Sequence, residues 1–183
     1  MTETVPAPKT SQPQKRRGTR GGRNRNAQGR RGRLRRNVGL VIINADGKVL
    51  AGLRAHANGD KAWQLPQGGV EGRERPAVAA YRELKEETGL EADEVELLAE
   101  RERWVDYWLP KEWVRGRRFA GQTQKWFAFR YTGEGLPDLS RAVDREFEAL
   151  DWVDAIWLEA HVIDFRQKVY AIVFREFESY LAK

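Results

Sequence analysis

Between Gly68 and Leu90 the chain reads GGVEGRERPAVAAYRELKEETGL, which sets five glutamates around one helix-forming stretch. Pro76 suits the first turn of a helix, where its missing N–H costs nothing. Ala77, Val78, Ala80, Tyr81 and Leu84 supply apolar positions near helical spacing, and Gly89 stands where a left-handed cap ends such a helix. The expectation is a loop, a helix over residues 75–88 and a second loop, with the carboxylates on the side away from the core. Residues three and four apart are neighbours on a helix, so Glu83, Glu86 and Glu87 project close together. Like charges at that spacing destabilise an isolated helix by roughly 0.2–0.5 kcal/mol per pair. Two arrangements relieve the repulsion: a solvated face balanced by lysines, or a hard divalent cation held by carboxylate oxygens. Gly68-Gly69, just ahead of the helix, lets the backbone turn tightly and approach a phosphate.

The surrounding residues bear on the choice. Gly68 lies six residues before Glu74, Glu74 eight before Arg82, and Arg82-Glu83-Leu84-Lys85-Glu86-Glu87-Thr88-Gly89-Leu90 completes the string G-x5-E-x7-R-E-L-x-E-E-x-G-L. This resembles the Nudix box at every fixed position. The resemblance implies a mixed α/β (α+β) fold, an α/β/α sandwich around a mixed β-sheet with the box as a loop-helix-loop. It also implies a hydrolase of phosphoric anhydrides using Mg²⁺, with Mn²⁺ or another divalent cation as a substitute. Glu83, Glu86 and Glu87 would be the metal ligands, Arg82 would pair with a glutamate and orient it, and Glu74 would support the site from the helix start. Outside the box, Glu146 in Asp144-Arg145-Glu146-Phe147-Glu148 is the expected general base or further metal ligand, with Glu148 as its competitor.

Flanking residues carry the resemblance toward one branch. Trp63-Gln64-Leu65-Pro66-Gln67-Gly68-Gly69, Trp104 to Lys111, Gly121 to Phe127 and Val162 to Tyr170 resemble segments of bacterial RNA pyrophosphohydrolases and related dinucleoside polyphosphate hydrolases. Carried over by position, Arg35 and Arg54 would approach 5′ phosphates and Lys125 would contact phosphate near the metals. Phe165 and Arg166 would flank the first base, although Phe165 could equally be a core position beside Val162, Val169 and Val173. Tyr107 is a weaker stacking candidate, and Trp126 and Trp152 read as core. The expected substrates are 5′-triphosphate or 5′-diphosphate RNA ends. Free dinucleoside polyphosphates are the alternative, and a catalytically silent RNA-binding module would have lost box glutamates that are all present here.

Charge is divided unevenly along the chain. Residues 1–36 hold twelve Lys or Arg and one acid, a net of +11, so the total of +6 leaves 6 − 11 = −5 for residues 37–183. The first 34 residues are rich in Gly, Arg, Pro, Gln and Asn, and cannot bury enough apolar surface to offset chain entropy. They are expected to form a disordered basic tail that either attracts RNA backbones or only solubilises, followed by one domain over residues 35–183. The absence of cysteine excludes disulfides and thiolate metal sites and suits a reducing, cytoplasmic setting. His56 and His161 are too few for a histidine metal cluster, and His56 is expected to be exposed. No apolar stretch is long enough for a membrane span, and the resemblance suggests a monomer. Strands are expected at 38–43, 48–54, 94–107, 122–132 and 150–153, with a short helix at 154–158 and a long one at 160–181.

Overall fold

The computed structural model describes residues 33–55 and 62–182. The expected tail, apart from its last two residues, and His56 lie outside the described residues. The strand β1, Leu34–Ile43, is buried without interruption from Asn37 to Ile43, as expected for a strand covered on both faces. Its residues alternate between two cores. Val41 and Ile43 enter one; Val38, Leu40 and Ile42 enter the other.

Strand β2 (Val49–Arg54) follows through a turn in which the Asn44 side chain accepts hydrogen bonds from the backbone N–H groups of Asp46 and Lys48. Two short strands come next, β3 (Trp63–Gln64) and β4 (Gln67–Gly69), and then helix α1, Pro76–Thr88. Pro76 begins that helix, and Gly89 ends it in the left-handed conformation at φ 75°, returning its N–H to the Lys85 carbonyl. The remaining elements are β5 (Val95–Glu100), β6 (Val105–Trp108), the four-residue helix α2 (Lys111–Val114), β7 (Gly121–Tyr131), β8 (Phe147–Val153), α3 (Ala155–His161) and α4 (Asp164–Glu176).

The sheet is mixed. β1 and β7 run parallel over ten paired positions, from Leu34↔Gly121 to Ile43↔Arg130, while the other pairings are antiparallel. Helix α1 packs on one face through Ala79, Ala80 and Leu84, and α3 and α4 cover the other through Leu158, Val169, Tyr170 and Val173. The α/β/α layering follows from these two cores.

One irregularity positions the site. β1 pairs with β2 only at Ile43↔Val49, and nearer its start it pairs with β4 through Asn37↔Gly69 to Gly39↔Gln67. β2 meanwhile takes β3 at Gly52 and Leu53. The sheet therefore forks, with Leu65-Pro66 bridging the prongs. Pro66 accepts from the Leu40 N–H at 2.9 Å, and the buried Tyr170 hydroxyl of α4 accepts from the Leu65 N–H at 2.7 Å.

The structure corrects several expected boundaries. The strand expected at 94–107 is two, because β7 is too long for one antiparallel partner: β5 takes its second half and β6 its first. The helix expected at 160–181 begins at Asp164, after α3 has run on to His161, and gives way at Phe177 to a 3-10 turn at Glu178–Tyr180. The carboxylates of α1 do not lie on a face turned from the protein: Glu83 and Glu87 are 6% and 2% exposed and face β4.

Leu84, fully buried, fastens α1 to the sheet. Leu84→Ala should destabilise the fold by about 2–5 kcal/mol in a denaturant titration. A loss below about 1 kcal/mol would mean that α1 docks by other means.

Candidate active site

Glu83 and Glu86 of α1 are held by Arg82, whose five N–H donors are all used. Nε donates to Glu74 Oε1 at 3.1 Å, and Nη2 donates to Glu74 Oε2 at 3.0 Å and to the Gly69 carbonyl at 2.7 Å. Nη1 donates to Glu83 Oε1 and Glu86 Oε2, both at 2.7 Å. The guanidinium thus ties the loop ahead of α1, β4 and the glutamate face into one unit, using the planar fork that lysine lacks. Its pKa is driven upward, chiefly by the hydrogen bond to Glu74. That same bond holds the Glu74 carboxyl below its ordinary value.

Glu83 lies directly over Gly68: a Cβ there would fall 1.8 Å from its carboxylate, so the glycine creates the space this side chain occupies. Burial raises the Glu83 pKa against the opposing pull of Arg82. Glu87 is buried more deeply and accepts the Gln67 backbone N–H at 2.8 Å. Burial, then the charge of Glu146, push its pKa well above the usual carboxylate value, and the hydrogen bond from Gln67 only partly counteracts this.

These groups line a cavity of about 750 Å³ at the fork of the sheet. It takes Glu83, Glu86 and Glu87 from α1 and Phe165 and Arg166 from α4, so it reaches elements packed on opposite faces. Of the residues expected from sequence, Arg35, Arg54 and Glu146 also line it. The Arg35 guanidinium lies against Gly69, where a Cβ would come within 2.0 Å of Nη2. Arg54 Nε is 3.5 Å from Glu146 Oε1, an ion pair with both side chains substantially exposed. Gln64 links the two ends: its amide N–H donates to Glu146 Oε1 at 3.3 Å, and its carbonyl oxygen accepts from Arg166 Nη1. Phe165 serves both expected purposes, lining the cavity while packing against the core beside a buried Tyr107 at 5.6 Å between ring centres.

Lys125 is placed elsewhere. On β7 the side chains of Gln122 and Gln124 turn to the β1 face that carries Arg35 and Asn37, so Lys125 takes the opposite face. Its Nζ donates to the Glu102 carbonyl at 2.8 Å and pairs with Glu100 at 2.9 Å, and it does not line the cavity. Glu148 does not line it either, in contrast to Glu146. Glu74 lies off the lining and acts through Arg82. Trp126 is core, as expected, and Trp152 is half-buried, stacked on Tyr131.

Sequence reasoning missed Asp144, which lines the cavity, donates its backbone N–H to the Glu86 carbonyl at 2.8 Å and adds negative charge near Glu83 and Glu87. It also gave no role to the buried amides: Gln124 Nε2 donates to Asn37 Oδ1 at 2.8 Å and to Gln67 Oε1 at 3.1 Å, locking β1, β4 and β7 together. The glutamines of Trp63 to Gly69 were the available signal.

A model of the NUDIX domain matches residues 33–173. The chain belongs to the Nudix family. It is 42% identical over 161 residues to an RNA pyrophosphohydrolase of Bartonella clarridgeiae, covering 79% of this chain and 90% of that protein. It is also 42% identical over 151 residues to an RNA pyrophosphohydrolase of Halorhodospira halophila, covering 81% and 82%. Among solved structures it resembles the E. coli dihydroneopterin triphosphate pyrophosphohydrolase, with TM-score 0.62 and 23% identity over 78% of this chain and 97% of that one. A C. elegans Ap4A hydrolase complex aligns with TM-score 0.59 and 18% identity over 80% and 98%. These two likenesses concern the fold.

Among the described residues, no three acidic side chains form a ready-made cation cage. The donor set nevertheless fits a hard divalent ion. Glu86 and Glu87 face the cavity beside Asp144 and Glu146, and Mg²⁺ commonly takes one or two carboxylates and completes its shell with water and substrate phosphate.

Glu87 binds its proton more tightly folded than unfolded, so its contribution to stability is greatest at low pH and falls as pH rises upward from about 4.5. Glu74 and Glu94, whose values are lowered, slope the other way. The variant Glu87→Gln isolates the group: in chelator it should melt above the parent at pH 8 and near it at pH 5. Parallel melting curves at the two pH values would refute the buried, strained carboxylate.

Proposed function

We propose that this Nudix enzyme removes the terminal phosphates of RNA 5′ ends in a Mg²⁺-dependent hydrolysis that leaves a 5′-monophosphate. One observation carries the reading: a single cavity joins a carboxylate cluster of hydrolytic type to cations and an aromatic ring suited to a nucleotide. The relatives named RNA pyrophosphohydrolase support it, since they match over most of their own lengths.

Glu83, Glu86, Glu87 and Glu146 are the candidate ligands, with Glu86 and Glu87 the central pair. A bound divalent ion supplies neutralisation of phosphate charge and a lowered pKa for water. Arg82 keeps Glu83 and Glu86 oriented. Glu146, exposed and tethered by Gln64, accepts a proton from the attacking water in this reading. Arg35 and Arg54 hold the 5′ phosphates, and Phe165 with Arg166 receives the first base. Water oxygen bonds to phosphorus as the P–O anhydride bond breaks, so a triphosphate end loses pyrophosphate and a diphosphate end loses orthophosphate. Lys125 has no part in this scheme. The residues form one catalytic domain, and the basic tail adds non-specific attraction for the RNA backbone.

RNA carrying a labelled γ-phosphate should lose its label in Mg²⁺ with the parent enzyme. Glu86→Gln should slow this at least about a hundredfold, the scale on which a single electrostatic stabiliser of a transition state acts. Circular dichroism should remain unchanged. Hydrolysis of diadenosine tetraphosphate with no release from RNA would overturn the substrate assignment, and undiminished turnover by the variant would overturn the role of Glu86.

A further inference from the structure

We infer that the β6–β7 hairpin, residues 109–120, is a landing track for the RNA chain beyond its first nucleotide, with Trp113 as the stacking platform and Arg115, Arg117 and Arg118 as phosphate contacts. The inference rests on the RNA reading of the cavity and adds a binding element to it.

The hairpin is built against the cavity. Its neck is closed by Trp108↔Gly121 pairing and by the Leu109 N–H donating to the Ala120 carbonyl at 2.9 Å. Trp113 and Arg117 line the same cavity as Glu86 and Phe165. Trp113 meets the Phe165 ring edge-on at 5.6 Å between centres and is 42% exposed. If the first base rests on Phe165, the next aromatic surface along the cavity wall is Trp113. Successive bases on successive aromatic rings, flanked by cations, is how single strands are held without sequence readout.

The charge distribution points the same way. Residues 111–119, KEWVRGRRF, carry four cations and one acid, a net of +3. Residues 37–183 total −5, so the remainder of that stretch carries −5 − 3 = −8. A local positive strip on an acidic body is a footprint for a polyanion. Gly116, at φ 78°, bends the strip between Arg115 and Arg117, and all three arginines are exposed. The start of β1 lies alongside, since the Arg33 carbonyl accepts from the Ala120 N–H at 2.9 Å. Arg33 thereby adds a further cation to the same rim. A mononucleotide or a dinucleoside polyphosphate has no backbone to follow such a track.

The test compares kcat/KM on a 5′-triphosphate dinucleotide and on a 5′-triphosphate RNA of about ten nucleotides, within the span that one strand-binding surface covers. Arg115→Gln combined with Arg118→Gln removes two cations that do not line the cavity. It should lower kcat/KM on the longer RNA roughly tenfold through KM and leave the dinucleotide within about twofold. The slope of log(kcat/KM) against log[salt] should also flatten by about 1.4, at roughly 0.7 per single-strand phosphate contact. Trp113→Ala should weaken the longer RNA roughly tenfold and Trp113→Phe should restore most of the loss. Equal losses of the double arginine variant on both substrates, or no loss of either variant on the longer RNA, would overturn the track while leaving the proposed activity intact. Failure of the parent enzyme to hydrolyse either substrate would overturn both.

Discussion

The site is organised by one saturated guanidinium. Arg82 gives every N–H it has to groups from three parts of the chain: Glu74 ahead of α1, the Gly69 carbonyl on β4, and Glu83 and Glu86 on its own helix. Without that charge, glutamates three residues apart would repel, and the Gln67–Glu87 hydrogen bond would be left to tie α1 to β4. With it, two carboxylates are held in fixed orientations and half-neutralised. The cost is a rigid demand on geometry, which the two glycines meet. Gly68 leaves room for the Glu83 carboxylate, and Gly69 leaves room for Arg35 on its other side.

Glu87 is the counterpoint. It is nearly fully buried, it receives one backbone N–H, and its surroundings are acidic. A carboxylate in that position is a poor stabiliser of the fold, because desolvation and like charge both oppose its ionised form. Such groups concentrate where chemistry needs them. The neighbouring fork in the sheet has the same character: β1 gives up β2 as partner to take β4, and an interlocked set of amides from Asn37, Gln67 and Gln124 fills the gap. Regular sheet pairing would close the path from α1 to α4.

The legible part of this architecture is the part written locally. α1, its proline start and its glycine cap follow from residues within a few turns of one another. The run from Val38 to Ile43 and the turn after it were equally readable. β3 and β4 were not, since two- and three-residue strands have no period and exist only through partners far away in sequence, such as Asn37 for Gly69. The burial of Glu83 and Glu87 was hidden for the same reason: the helix pattern says which residues share a face, and only β4 decides what that face meets. The position of Lys125 follows from strand alternation. If Trp126 is core on the α4 side, strand alternation sends Lys125 to the α1 side, where Glu100 pairs with it. Asp144 stood two residues from Glu146 and was passed over because nothing in the string distinguished one acid from the next.

The layout of charge in the cavity bears on how a polyanionic substrate could enter it. Six acids line the space (Glu71, Glu83, Glu86, Glu87, Asp144 and Glu146) against five arginines, Arg35, Arg54, Arg82, Arg117 and Arg166. Nearly balanced in number, they are not balanced in use. Arg82 is committed to three glutamates, and Arg54 leans on Glu146. A 5′-triphosphate arriving alone would meet Arg35 and Arg54 at one side and, at the other, an acidic cluster that Arg82 neutralises only in part. The phosphates can approach that cluster only if cations come with them, so substrate and divalent ion should bind cooperatively. Each would raise the other's affinity by the same factor, as linkage requires. Under the proposed function, the aromatic and basic half of the cavity has a separate task, to hold the nucleoside portion while the acidic half is being neutralised. The two halves are built on helices packed on opposite faces of the sheet, so each belongs to its own core.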